Sequence, residues 1–120
     1  MRSVLVVEDD ADVRDFERNL LESAGFEVRT ACNGAEGLRA ARERPPAVVL
    51  LDLMMPVMDG LTFLRERQVD RQMKCVPVVC VTAGGREMVA QALRLGASRC
   101  LQKPTDIDEL CSVLAEYTKP

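Results

Sequence analysis

The stretch "AVVLLDLMMPVMDG", Ala47 to Gly60, decides the fold. Its first part, "AVVLLD" (47–52), is a nearly unbroken apolar run. Such runs mark central strands of parallel sheets, which are buried on both faces. Yet the run ends on a carboxylate, Asp52. A buried unpaired charge is costly, or it shifts its pKa until it is neutral. Asp52 therefore sits in a wet site at the strand's end, or something positive is bound there. Asp59-Gly60 then reads as a turn and N-cap opening a helix, with Leu61, Leu64 and Gln68 turned inward.

On either side the pattern repeats. "SVLVV" (3–7) is a Val-rich buried strand. Val13, Phe16, Leu20, Leu21 and Ala24 lie on one helix face, and Gly25 follows as its C′ stop. "FEVRTA" (26–31) alternates in part, as an edge-side strand does. Asn33 and Glu36 have capping-box spacing for a helix through about Glu43, ended by Pro45 and Pro46. "VPVVCVT" (76–82) is a second central strand with Pro77 at its start. Met88, Val89, Ala92, Leu93 and Leu95 form a helix closed by Gly96, and "SRCLQK" (98–103) is the last strand. Asp106 and Glu109 make a second capping box before a helix carrying Ile107, Leu110, Cys111, Leu114 and Tyr117. Strands alternating with helices predict an α/β domain with a five-stranded parallel sheet and helices on both faces.

Bulk properties agree. A chain of 120 residues with 48% apolar content suits one domain, 1–120, around one core. The net charge is −3 and the 16 basic residues are scattered, which argues against direct nucleic-acid binding. Histidine is absent and no C-x-x-C occurs, so the usual zinc patterns are excluded. The five cysteines, Cys32, Cys75, Cys80, Cys100 and Cys111, read as small core hydrophobes in a reducing compartment. "VLVV" near the N-terminus is too short for a signal peptide or a spanning helix. A soluble, cytoplasmic protein without membrane contact is expected.

In open parallel sheets the ligand site lies beyond the carboxyl ends of the strands, where the strand order reverses. Four predicted strands end there in polar groups: Glu8-Asp9-Asp10, Asp52, Thr82 and Lys103. Taken singly, each has a structural explanation. Acids before a helix answer its dipole, a Thr commonly ends a strand, and a Lys before Pro is usually a loop residue. Their common register at four strand ends is what points to chemistry. Clustered acids cannot all stay ionised without a cation, and an all-oxygen donor set suits Mg²⁺, with Mn²⁺ close behind.

The motifs "VVEDD" (6–10), "DLMMPVMDG" (52–60), "VTAGG" (81–85) and "KP" (103–104) resemble, in order and spacing, the receiver domain of two-component response regulators. The resemblance implies a flavodoxin-like doubly wound fold with strand order 2-1-3-4-5. It implies that Asp52 accepts a phosphoryl group from a histidine kinase or phosphotransfer protein. It assigns Mg²⁺ to Glu8, Asp9, Asp52 and the backbone carbonyl of Met54. Lys103 and Thr82 would each contact a phosphoryl oxygen, a cis peptide would precede Pro104, and Asp10 would be an N-cap. The activity implied is a signalling switch rather than a turnover enzyme. Its partners would be a downstream effector and, on phosphorylation, a second copy of the domain. A stand-alone receiver and one unit of a longer protein both fit.

Two features depart from the family pattern. Cys100 stands where the family usually has Tyr or Phe, three residues before the Lys. Gly84-Gly85 after Thr82-Ala83 predicts a pliant loop. Three other readings compete. An Asp-nucleophile phosphohydrolase more often has D-x-D after its first strand. A cofactor carrier of the same topology needs a Ser/Thr/Gly-rich loop where "EDDAD" stands. A degenerate receiver acting as a phosphorylation-independent adaptor would lack Asp52 or Lys103.

Overall fold

The computed structural model describes residues 2–55 and 58–118. Pro56 and Val57, inside the 52–60 motif, lie outside the described residues. The elements run β1 (Ser3–Val7), α1 (Ala11–Ser23), β2 (Glu27–Ala31), α2 (Gly34–Glu43), β3 (Val48–Asp52), α3 (Gly60–Val69), β4 (Val78–Thr82), α4 (Arg86–Arg94), β5 (Arg99–Gln102) and α5 (Ile107–Tyr117). The five strands form one parallel sheet in the order β2-β1-β3-β4-β5. The α/β fold and strand order expected from the sequence are therefore observed.

Period-two alternation sorts the strand residues onto two faces. Leu5, Val7, Val49, Leu51, Val78 and Cys80 pack under α2, α3 and α4, with Leu38, Phe63, Leu64 and Ala92. Val4, Val6, Val48, Leu50, Val79 and Val81 pack under α1 and α5, with Leu21, Leu110, Val113 and Leu114. The β1, β3 and β4 cores are buried on both sides, which is why their sequences read as continuous apolar runs.

Local chemistry sets the element ends. Asp10 caps α1 by accepting from the N–H groups of Asp12 and Val13. Gly25 (φ 95) and Gly96 (φ 101) turn the chain after α1 and α4 in the left-handed region that glycine tolerates. Asn33 Oδ1 accepts from Glu36 N at 2.8 Å, but Glu36 returns its bond to Cys32 N, not to Asn33 N. Asp106 accepts from Asp108 N at 3.0 Å, and no return bond from Glu109 forms among the described residues.

Several sequence expectations are corrected. Gln68 is exposed, and α3 instead buries Gly60, Phe63, Leu64 and Arg67. Its phase is set by Gly60, where an added Cβ would lie 2.6 Å from Leu53 Cα. Arg67 can be buried because its Nε donates to Val76 O at 2.8 Å and its Nη1 to Gly96 O at 3.4 Å. Phe16 is 64% exposed, so the α1 stripe is fully buried only at Leu21. Leu93 on α4 is likewise exposed. Cys32 and Cys75 are exposed and are not core residues; Cys100 and Cys111 are half-buried, and only Cys80 is sealed. Cys32 lies just before the α2 cap, where its thiol donates to Glu36 Oε2.

Candidate functional site

The strand order reverses at β1, whose neighbours are β2 on one side and β3 on the other. The ladders keep the carboxyl ends level: Val7 is opposite Leu51, Asp52 opposite Val81, and Thr82 opposite Gln102. The sheet thus brings Glu8, Asp9, Asp52, Thr82 and Lys103 to one edge, as the sequence predicts.

Asp52 closes β3 and is 6% exposed. Its Oδ1 accepts from Met54 N at 3.0 Å, and its Oδ2 lies 3.4 Å from Lys103 Nζ. Leu53 O then accepts from Gly60 N at 3.0 Å, which holds the start of α3 beside the end of β3. That approach requires glycine at 60. Met54 itself is exposed. Arg14 on α1 donates to Glu8 O at 2.9 Å and fixes the backbone where β1 leaves the sheet.

Glu8 is 3% exposed. Its Oε1 lies 3.8 Å from Lys103 Nζ, while Oε2 is buried with no partner. Carboxylate oxygens of Glu8, Asp9 and Asp52 gather within 4.8 Å of one another, with Asp9 exposed. Burial first, and then the Asp52 carboxylate, push the Glu8 pKa up to about 8. A proton held between Glu8 and Asp52 would relieve the orphaned oxygen, and so would a divalent cation. An oxygen-only donor set with one open face fits a hard cation that keeps several waters.

Lys103 reaches the cluster from the end of β5. Its N–H donates to Thr82 O at 2.8 Å, and a cis Lys103-Pro104 peptide follows, as the resemblance implies. Burial works against the Lys103 charge, but Asp52 and then Glu8 outweigh it and hold its pKa above the ordinary lysine value. Thr82 is fully buried. Its hydroxyl accepts from Gly84 N at 2.9 Å and donates to Met88 Sδ at 3.2 Å.

Glu17 escaped sequence reasoning. It shares an apolar cavity of about 740 Å³ with Phe16, Lys103, Pro104 and Ile107, between α1 and the start of α5. Burial raises its pKa to about 7; Lys103 opposes the shift and Asp52 adds to it. The available signal was an acid on the apolar side of α1, between Val13 and Leu20.

Known proteins match this chain along nearly its whole length. The family model for the response regulator receiver domain covers residues 4–115. Chemotaxis protein CheY of Bacillus subtilis is 34% identical over 113 residues, 92% of this chain and 92% of that protein. A transcriptional regulatory protein, the CpxR homolog of Haemophilus influenzae, is 40% identical over 92% of this chain but only 47% of its own length. This chain spans about half the length of the transcriptional regulators among its relatives. The solved chemotaxis response regulator CheY4 of Vibrio cholerae superposes with a TM-score of 0.88 at 31% identity, covering 98% of both chains. No helix among the described residues is long and apolar enough to cross a membrane. With the motif spacing, the strand order and the family match in agreement, the chain belongs to the response regulator receiver domains of two-component systems.

Proposed function

We propose that residues 1–120 form one receiver unit that accepts a phosphoryl group on Asp52 from a phosphohistidine of a sensor histidine kinase or phosphotransfer protein. The observation that carries this reading is Asp52 itself: a nearly buried carboxylate with Lys103 Nζ 3.4 Å from Oδ2 and two further acids within 4.8 Å. A carboxylate in that position attacks phosphorus, forming the O–P bond of an aspartyl phosphate while the donor imidazole nitrogen leaves. Mg²⁺, held by Glu8, Asp9, Asp52 and the Met54 carbonyl, would neutralise charge on the transferring group.

The remaining roles belong to the chain. Lys103 is a compact point charge already poised over Oδ2, ready to pair with a phosphoryl oxygen. Thr82 supplies a hydroxyl for another, once it leaves Met88. Glu8 stays protonated or cation-bound, so that it does not repel the incoming anion. The output is a conformational switch read by an effector domain or target protein, or by a second copy of the domain. Turnover of a substrate is not its purpose. Its place is the cytoplasm, where kinases and phosphotransfer proteins supply phosphohistidine, and it contacts neither membrane nor nucleic acid directly.

The test is phosphorylation by a small phosphodonor with Mg²⁺, read by intact mass. One phosphoryl group is expected on the unsubstituted chain and none on Asp52→Asn. Undiminished labelling of Asp52→Asn would overturn the assignment.

A further inference from the structure

Cys80 and Cys100 are register partners across the β4–β5 ladder. Both point to the α2–α4 side of the sheet, Cys80 within the core and Cys100 packed against it. Adjacent strands run about 4.8 Å apart. That lies inside the Cα separation of roughly 4.4–6.8 Å that a disulfide bridges. Neither thiol has a role in the phosphoryl site.

Their access differs. Cys80 is fully buried, whereas Cys100 is half-buried and lines an open cavity of about 470 Å³ with Arg86, Leu93, Gln102 and Glu109. A small oxidant entering that cavity meets Cys100 and not Cys80. The two also differ as acids. The neighbouring Cys100 thiol, and then burial, raise the Cys80 pKa. The Cys80 thiol beside it lowers the pKa of Cys100, against burial. Cys100, the more accessible partner, is therefore the better nucleophile.

We infer that Cys100 and Cys80 form a two-thiol redox site, at which a hydroperoxide oxidises Cys100 and Cys80 then closes a reversible disulfide between β4 and β5. In the first step the Cys100 sulfur attacks the hydroperoxide, the O–O bond breaks, and an S–O bond forms. The departing alkoxide or hydroxide takes the thiol proton, leaving Cys100 as a sulfenic acid. In the second step the Cys80 sulfur attacks that sulfur, the S–O bond breaks, and hydroxide leaves with the Cys80 proton as water. Two electrons pass from the sulfur pair to the peroxide. The new bond ties a residue two before Thr82 to one three before Lys103, so the oxidation state fixes how those two strand ends lie.

The experiment uses the full chain carrying Cys32→Ser, Cys75→Ser and Cys111→Ser, treated with hydrogen peroxide in the presence of dimedone. The expected product has lost two hydrogens in mass, carries a cross-linked peptide joining residues 80 and 100, and reverts with dithiothreitol. Adding Cys80→Ala should divert the reaction to a dimedone adduct on Cys100. Fragment-ion mapping of the unsubstituted chain, oxidised in the same way, guards against misfolding of the serine background. The inference is overturned if mass is unchanged, if Cys100 takes dimedone without cross-linking while Cys80 is present, or if the unsubstituted chain links Cys75 or Cys111 instead.

Discussion

The Thr82 hydroxyl donates to Met88 Sδ at 3.2 Å, in the first turn of α4. A hydroxyl held by α4 cannot simultaneously serve a phosphoryl group on Asp52. In the proposed switch Thr82 would exchange one partner for the other, and the exchange would pull on residues 83–88. Cys100 offers no ring to move in concert. Phosphorylation is therefore expected to reorder residues 83–90 while residues 98–101 hardly change, because a ligand shifts an equilibrium only through contacts that differ between its states. Backbone chemical shifts on adding a beryllofluoride phosphoryl mimic with Mg²⁺ check this. Changes centred on Cys100 would refute it. Met88→Leu, which removes the sulfur acceptor, should tighten mimic binding by at most about tenfold, the scale of one modest hydrogen bond.

The two glycines of the same loop should behave differently. A Cβ at Gly85 meets nothing within 4 Å, and its φ of −84 suits any residue. Gly85 is also the N-cap of α4, where Ala is worse than Gly, so Gly85→Ala should leave stability nearly unchanged: the roughly 0.4–1 kcal/mol gained by restricting the unfolded chain is offset by the poorer cap. A Cβ at Gly84 would stand 2.8 Å from Met88 Sδ and 3.1 Å from Thr82 Oγ1. Gly84→Ala should displace Met88 and loosen the Thr82 contact. Urea unfolding midpoints order the variants, and the chemical shifts of residues 83–90 report the displacement.

Stability without metal should fall as pH rises. The folded Glu8 has a pKa of about 8 against an ordinary 4.5, so between those values the folded state holds a proton that the unfolded chain releases. Its contribution is complete below about pH 4.5 and is lost as pH climbs toward about 8. Glu17, raised to about 7, acts in the same direction. On the proposed assignment Mg²⁺ would take the ionised cluster, so its stabilising effect should grow over the same window. Thermal unfolding at about pH 5 and about pH 8, with and without Mg²⁺, measures both slopes. Lys103→Ala should preserve the metal effect, since the lysine competes with the cation for the same oxygens. It should blunt the response to the phosphoryl mimic.

The site was legible because its residues sit at strand ends, and the strands announced themselves. Val48 to Leu51 and Val78 to Val81 are buried on both faces, so their apolar runs locate Asp52 and Thr82 to the residue. Caps were equally readable, since Asp10, Asn33 and Asp59 bond to N–H groups two or three residues away. What failed depended on distant parts of the chain. Phe16 has the spacing of a core residue, but it lies over the cavity between α1 and the start of α5. The partner of Thr82 is a methionine that periodicity assigns to the core. Cys32 and Cys75 lie in connections, where residue type says little about burial. Spacing from Leu61 and Leu64 puts Gln68 inward, and the carbonyls that bury Arg67 instead come from the segment before β4 and the turn after α4.

Arg67 supports the last prediction. Its side chain is buried with no acidic partner within ion-pair distance among the described residues. Burial lowers its pKa, yet its guanidinium satisfies two carbonyls that otherwise have no role in the sheet. Gly96 occupies a positive φ directly against it, with Arg67 Nη1 3.1 Å from where a Cβ would be. Arg67→Ala should cost about 2–4 kcal/mol, combining the void left by the stem with buried acceptors stripped of their donor. Arg67→Lys should recover part of that, because one ammonium cannot reproduce the planar fork that reaches both the Val76 and the Gly96 carbonyl. Arg67→Met should restore the packing but not the donors, and so separate the two terms. The phosphoryl site should be untouched, since Arg67 lies on α3 facing the connection into β4 and the turn after α4. Urea unfolding midpoints together with Asp52 labelling check both halves: a loss of labelling at intact stability, or unchanged stability in Arg67→Ala, would contradict this account of the buried guanidinium.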